Sequence, residues 1–176
     1  MVRSTRAVQG GVLDLRKSTN ATLINVSIVN TSVSAGDWVA GGVINVRHCR
    51  HPQHGTSMTL SNVSITNTSV SASTDISGGI IAKLAANISM TAITIAETSI
   101  SAERYIQGAV LYNWGAAANL ANVTISGTST RSGAGTDGGV IFIENDEVSV
   151  EIGWPLNPHS MASVTLSGVR IVDTST

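Results

Sequence analysis

A Gly-Gly-aliphatic-aliphatic element recurs along this chain and alternates with a second repeated element. Copies of the first element start at five positions: Gly10, Gly41, Gly78, Gly108 and Gly138. The second element, aliphatic-x-x-aliphatic-x-Ile-x-x-Thr, also starts at five positions: Leu23, Leu60, Met90, Leu120 and Leu166. The distance from the second element to the next Gly-Gly is 18 residues in every case, whereas the return distance varies from 12 to 28. A fixed segment that alternates with a variable one predicts a stacked repeat scaffold with its loops on a single edge.

The composition limits the residue types that can form the core and the classes of function that the chain can have. Apolar residues make up 42% of the 176 positions but aromatic residues only 3%, so the core must consist of Val, Ile, Leu, Ala and Thr, which pack well on pleated strands. The net charge of −1 gives no electrostatic reason to expect nucleic-acid binding. No apolar run approaches the roughly 18 residues of a membrane-spanning helix. The single Cys49 excludes an internal disulfide framework.

Period-two alternation within the repeats predicts strands. Val26 and Ile28 share one face of a strand, while Asn25 and Ser27 point outward, and the later repeats follow the same pattern. The Gly-Gly element predicts a tight corner followed by a short strand, because Gly adopts backbone angles that other residues avoid. We therefore predict an all-β chain folded as a right-handed parallel β-helix, with about five turns of roughly 30 residues and three short strands per turn.

The repeated motifs resemble those of a known family. Polymorphic outer-membrane proteins of the Pmp type carry many copies of Gly-Gly-Ala-(Ile/Leu/Val) and Phe-x-x-Asn. Gly-Gly-Val-Ile at Gly41 and Gly138 is similar to the first motif, and Ile-x-x-Thr at Ile28, Ile65 and Ile95 is similar to the second. Ile replaces Phe and Thr replaces Asn in every copy. The resemblance implies a β-helical cell-surface passenger of adhesin type, with pectin-lyase-like β-helices as broader relatives.

We expect residues 1–176 to form a single β-solenoid domain with loop insertions near 47–57 and 144–161. Both ends fall in the same phase of the repeat, so we expect the chain to be a segment of a longer solenoid. The expected partners are further solenoid turns or copies of the chain stacked end to end, and also glycans or a host surface. Nucleic-acid binding and direct membrane insertion are not expected.

The first long insertion contains a candidate metal site. Its donors are His48, Cys49, His51 and His54. Nitrogen and sulfur donors this close in sequence are typical ligands of Zn, Ni or Cu. The alternative is a polar turn shaped by Pro52, and apart from this site no cofactor is expected.

The second long insertion contains carboxylates and one aromatic residue. The residues of this candidate interaction surface are Glu144, Asp146, Glu147, Glu151, Trp154 and His159. Paired carboxylates perform glycoside hydrolysis, which makes a polysaccharide-acting β-helix enzyme the alternative function. A solvated turn explains the same residues, and no catalytic residue is assigned.

Seven Asn-x-Ser/Thr sequons make the chain a candidate glycoprotein if a eukaryotic host secretes it. They start at Asn20, Asn25, Asn30, Asn62, Asn67, Asn87 and Asn122. Asn25 and Asn62 are expected to stack on neighbouring turns, where two glycans would crowd. Asn30 and Asn67 are expected in turns, where modification is easier.

A column of Thr residues raises an ice-binding alternative, because flat Thr arrays on β-solenoids suit that task. Alternation, however, places Thr68 on the same face as Val70 and Thr98 on the same face as Ile100, which predicts inward hydroxyls that hydrogen-bond along the column. The sequence as a whole therefore predicts a non-enzymatic, extracellular structural or adhesive solenoid that forms a rod, surface array or fibre.

Overall fold

The computed structural model describes residues 1–16, 20–47, 56–115, 117–144 and 164–175. The described residues form these strands in chain order: β1 (Val2–Ser4), β2 (Val8–Gln9), β3 (Leu13–Arg16), β4 (Asn20–Val29), β5 (Ser32–Ala35), β6 (Val39–Ala40), β7 (Ile44–Arg47), β8 (Ser57–Ala72), β9 (Ile76–Ser77), β10 (Ile81–Leu84), β11 (Asn87–Ala102), β12 (Tyr105–Gln107), β13 (Leu111–Trp114), β14 (Ala118–Ser132), β15 (Gly135–Asp137), β16 (Ile141–Glu144), β17 (Val164–Ser167) and β18 (Arg170–Val172). Among these residues, no helix is long and apolar enough to span a membrane.

The strands belong to three parallel sheets that the chain visits in turn. Sheet A has the order β1-β5-β8-β11-β14-β17, with β4 also paired to β8 and β18 to β14. Sheet B has the order β15-β12-β9-β6-β2, and sheet C has the order β16-β13-β10-β7-β3. One strand segment from each sheet makes a layer, so the architecture is consistent with a β-helix and confirms the all-β prediction with three strands per layer.

The register between layers is constant at two of the three corners. Ala35, Ala72 and Ala102 align at the end of sheet A, and sheet B resumes four residues later at Val39, Ile76 and Ile106. Sheet C likewise begins four residues after the end of sheet B in each layer. The number of connecting residues varies only between sheet C and sheet A. Residues 85–86 connect β10 to β11, whereas in the layer before β7 ends at Arg47 and β8 begins only at Ser57. The prediction of loops on a single edge is therefore confirmed.

Each long strand of sheet A bends at two residues in the left-handed region. In β8 these residues are Asn62 and Asn67, with φ values of 52° and 50°. The register skips both positions, and the inward face shifts phase there, so that Leu60 and Val63 are both buried. Left-handed residues thus turn the chain without breaking the ladder. A turn was predicted near Asn67. In the structure this one residue changes the chain direction within a continuous strand.

The core contains the predicted aliphatic columns. Val63 and Ile65 are at most 1% exposed, as are their counterparts Ile93 and Ile95. The Thr column also points inward, and Thr98 Oγ1 lies 3.0 Å from Thr128 Oγ1 in the next layer, which confirms the predicted direction of the hydroxyls.

The Gly-Gly corners have the predicted geometry. Gly41 has a φ of 57°, in the left-handed region. At Gly42 a side chain has no room, because an added Cβ would lie 2.3 Å from the carbonyl oxygen of Gly79 in the next layer. One glycine therefore makes the corner, and the other permits close stacking of the layers.

Candidate functional site

The outer face of sheet B carries a shallow trough of polar and aromatic side chains. A cavity of about 450 Å³ is lined there by Asp75, Ile76, Ser77, Tyr105, Gln107 and Asp137. Ile76 and Ile106 point into the core and are fully buried, so alternation directs their neighbours outward. Both corners that flank sheet B have constant length, and therefore no insertion interrupts this face.

Asp75 is held at one end of the trough by contacts with the next layer. The backbone N–H of Tyr105 donates to Asp75 Oδ1 at 3.2 Å. The Arg104 guanidinium lies 3.8 Å from Asp75 Oδ2 and 5.8 Å from the centre of the Tyr105 ring. These contacts connect the carboxylate to the next layer, and 45% of Tyr105 remains exposed.

The other wall of the trough is a column of hydrogen-bonding groups. Gln107 is in register with Ser77 in the layer before and with Asp137 in the layer after. The Ser77 hydroxyl donates a long hydrogen bond of 3.4 Å to Gln107 Oε1. Hydroxyl, amide and carboxylate groups thus follow one another along the direction in which the layers stack.

The two carboxylates of the trough belong to different layers. Asp75 and Asp137 are two layers and two strand positions apart, which corresponds to a backbone separation of about 12 Å. An aromatic ring next to a row of acceptors and donors has the chemistry to contact a sugar chain, whose C–H faces stack on aromatic rings while its hydroxyls form hydrogen bonds.

The Asn residues of the sequons lie on the outside of sheet A, and two pairs of them stack between layers. Asn62 Nδ2 donates to Asn25 Oδ1 at 2.7 Å, and Asn67 Nδ2 donates to Asn30 Oδ1 at 2.6 Å. The stacking expected for Asn25 and Asn62 is present, and the pair that was expected in freer turns stacks in the same way.

The remaining sequon residues are exposed as well. Asn20 Oδ1 accepts from the Ser57 hydroxyl at 2.8 Å, and Asn87 Oδ1 accepts from the backbone N–H of Ala117 at 3.2 Å. Asn122 is exposed and has a φ of 53°. Their exposure is compatible with modification, which stays a prediction.

The residues predicted for metal binding lie outside the described part of the chain: His48, Cys49, His51 and His54. Most of the predicted loop surface also lies outside it: Asp146, Glu147, Glu151, Trp154 and His159. Glu144 is the last residue of β16, so this insertion leaves from the same corner as the first one. Within the described ranges, no group of three or more His, Cys, Asp or Glu residues is placed to hold a metal ion.

Sequence reasoning missed a buried polar pair in sheet C. Lys83 and Asn113 are register partners on β10 and β13, and both are fully buried. Lys83 Nζ donates to Asn113 Oδ1 and, at 2.5 Å, to the carbonyl oxygen of Gly115. The alternation that follows each Gly-Gly would have revealed the pair, because it places Lys83 in one inward column with Leu15 and Val46.

Comparisons of this chain with models of protein families, with curated proteins and with solved structures find no match.

Proposed function

We propose that this chain is a non-enzymatic, extracellular β-helical module that forms a rigid rod and binds glycans along sheet B. In this proposal the helix is right-handed and makes about five turns. One observation carries it: all variation in chain length falls at the corner between sheets C and A, which leaves the opposite face smooth through successive layers. The motif resemblance to Pmp-type passengers is in keeping with an adhesive role.

Rigidity follows from the way in which the layers join. Every ladder is parallel and runs from one layer to the next, and the interior contains a continuous aliphatic cluster. A solenoid of this kind transmits contacts only between neighbouring layers, so its binding surface extends along the axis as layers are added. Such a scaffold suits an elongated ligand better than a compact one.

The trough supplies the chemistry for an elongated glycan. Tyr105 offers a ring face, and Asp75, Gln107 and Asp137 offer acceptors for sugar hydroxyls over two layer spacings, or about 10 Å. A weak, shallow site of this type gains affinity when several units along one rod engage one polymer.

A glycan array probed with the fluorescently labelled chain tests this function. We expect retention of a limited set of oligosaccharides, and at least a tenfold loss of affinity in Tyr105→Ala and Gln107→Ala. Ser129→Ala is the matched control, because Ser129 is exposed on sheet A, away from the trough. Absence of glycan retention, or equal retention by the trough variants and the control, would refute the proposal.

A further inference from the structure

The Lys83–Asn113 pair brings a nucleophile against an amide inside the protein. β10 and β13 are adjacent parallel strands, and their register places these two residues directly side by side. The Lys83 amine touches the Asn113 side-chain carbonyl, and both residues are 0% exposed. Water is therefore excluded from a contact between an amine and a carboxamide.

The pair is not a fully satisfied polar contact. Asn113 Nδ2 is buried and has no hydrogen-bond partner. A buried donor without a hydrogen-bond partner destabilises the folded protein. Loss of the amide nitrogen would remove this unsatisfied donor.

We propose that Lys83 and Asn113 form an intramolecular isopeptide bond. Lys83 Nζ, as the neutral amine, attacks Asn113 Cγ. The Nζ–Cγ bond forms, the Cγ–Nδ2 bond breaks, and a proton from Nζ leaves with Nδ2 as ammonia. The product is a neutral secondary amide, and no oxidant or reductant takes part.

The surroundings favour the reactive form of the lysine. Burial lowers the pKa of Lys83 from its ordinary 10.5 to about 7, so a substantial fraction of the amine is neutral at physiological pH. The Gly115 carbonyl, 2.5 Å from Nζ, holds the amine next to Asn113. Proximity of this kind replaces a bimolecular encounter with an intramolecular reaction.

The bond would join two layers covalently. It would connect β10 to β13 across a ladder that is otherwise held by hydrogen bonds and packing. A solenoid unfolds by separation of neighbouring layers, so a covalent link at one interface would resist pulling along the axis.

Intact mass and peptide mapping of the purified, folded chain test the bond. We expect a mass lower than that of the sequence by one ammonia. Trypsin cleaves at Arg104, between the two residues, so the peptide with Lys83 and the peptide 105–131 with Asn113 should stay joined under reducing conditions. Fragmentation should locate the link at these two side chains.

Lys83→Met and Asn113→Ala serve as controls and should have the full mass of their sequences and unlinked peptides. If either variant fails to fold, the peptide map of the unaltered chain decides the question alone. Full mass and separate peptides from the folded chain would overturn the proposal. A mass deficit that maps to another asparagine, as a succinimide would, would overturn it as well.

Discussion

Asn67 donates its side-chain amide to Asn30 Oδ1 at 2.6 Å, and both residues have left-handed backbone angles, with φ of 50° and 55°. The two properties are linked, because Asn tolerates this conformation better than most residues and its short amide reaches the same atom one layer away. These Asn residues therefore have a structural role in the corners of sheet A, whatever is attached to them.

The corner column that contains Asn62 and Asn122 is interrupted by Ala92, whose φ is 55°. An L-residue without a compensating side chain loses about 1 to 2 kcal/mol in this conformation. We expect Ala92→Gly to stabilise the chain by about 1 kcal/mol, and Ala92→Asn to do at least as well because it continues the amide ladder. Urea denaturation of protein from a bacterial host measures both, since Ala92→Asn also creates a sequon.

Ala96→Gly is the matched control for this prediction. Ala96 lies on the same strand without a positive φ, so glycine there should destabilise the strand by about 0.5 to 1 kcal/mol. Equal destabilisation by Ala92→Gly and Ala96→Gly would contradict the left-handed corner.

The inward hydroxyls of Thr98 and Thr128 should behave as a coupled pair. Thr128→Val removes the acceptor of the Thr98 hydroxyl, and the buried donor that remains should cost about 1 to 3 kcal/mol of unfolding free energy. Thr98→Val with Thr128→Val replaces both partners by apolar groups of the same shape and should cost less than the single change. A double-mutant cycle measures this coupling, and additive effects would disprove the contact.

Lys83 should make stability depend on pH wherever no isopeptide bond can form, as in Asn113→Ala. The pKa of Lys83 is lowered in the folded protein, so between about pH 7 and 10.5 the unfolded chain binds more protons than the folded one. The free energy of unfolding should therefore rise with pH across this window. Below it the curve should be flat, because Lys83 is protonated in both states and its destabilising effect is complete. Denaturation midpoints at a series of pH values measure the slope, which should disappear in Lys83→Met/Asn113→Ala; a slope of opposite sign would contradict the burial of the amine.

The periodic features of the fold were predictable from sequence because they depend on local chemistry. The left-handed corner at Gly41 and its equivalents requires glycine. The alternation at Val63 and Ile65 specifies which face of the strand points inward. The corner at Asn62 was missed, although a signal was present: the inward residues Leu60 and Val63 are three positions apart, which a straight strand does not permit.

The trough was less accessible to sequence reasoning. Its residues come from three layers and become neighbours only through the register, which places Ser77, Gln107 and Asp137 in one column. No functional role was assigned to Asp75 or Asp137 from the sequence, because single acidic residues near Gly-Gly pairs have no distinctive spacing. The Lys83 contact also depends on one layer lying directly over another.

Disulfide trapping tests the in-register parallel layers most directly. Ser69, Ser99 and Ser129 are exposed register partners on β8, β11 and β14. All pairs are made in a Cys49→Ser background, which removes the native thiol. Register partners on neighbouring strands have Cα atoms about 4.8 Å apart, within disulfide reach, whereas partners two layers apart are about 9.6 Å apart. We expect Ser69→Cys/Ser99→Cys and Ser99→Cys/Ser129→Cys to form intramolecular disulfides, and Ser69→Cys/Ser129→Cys to remain reduced. Efficient bridging of Ser69→Cys to Ser129→Cys, or failure of both adjacent pairs, would contradict the layered fold on which the trough and the isopeptide bond depend.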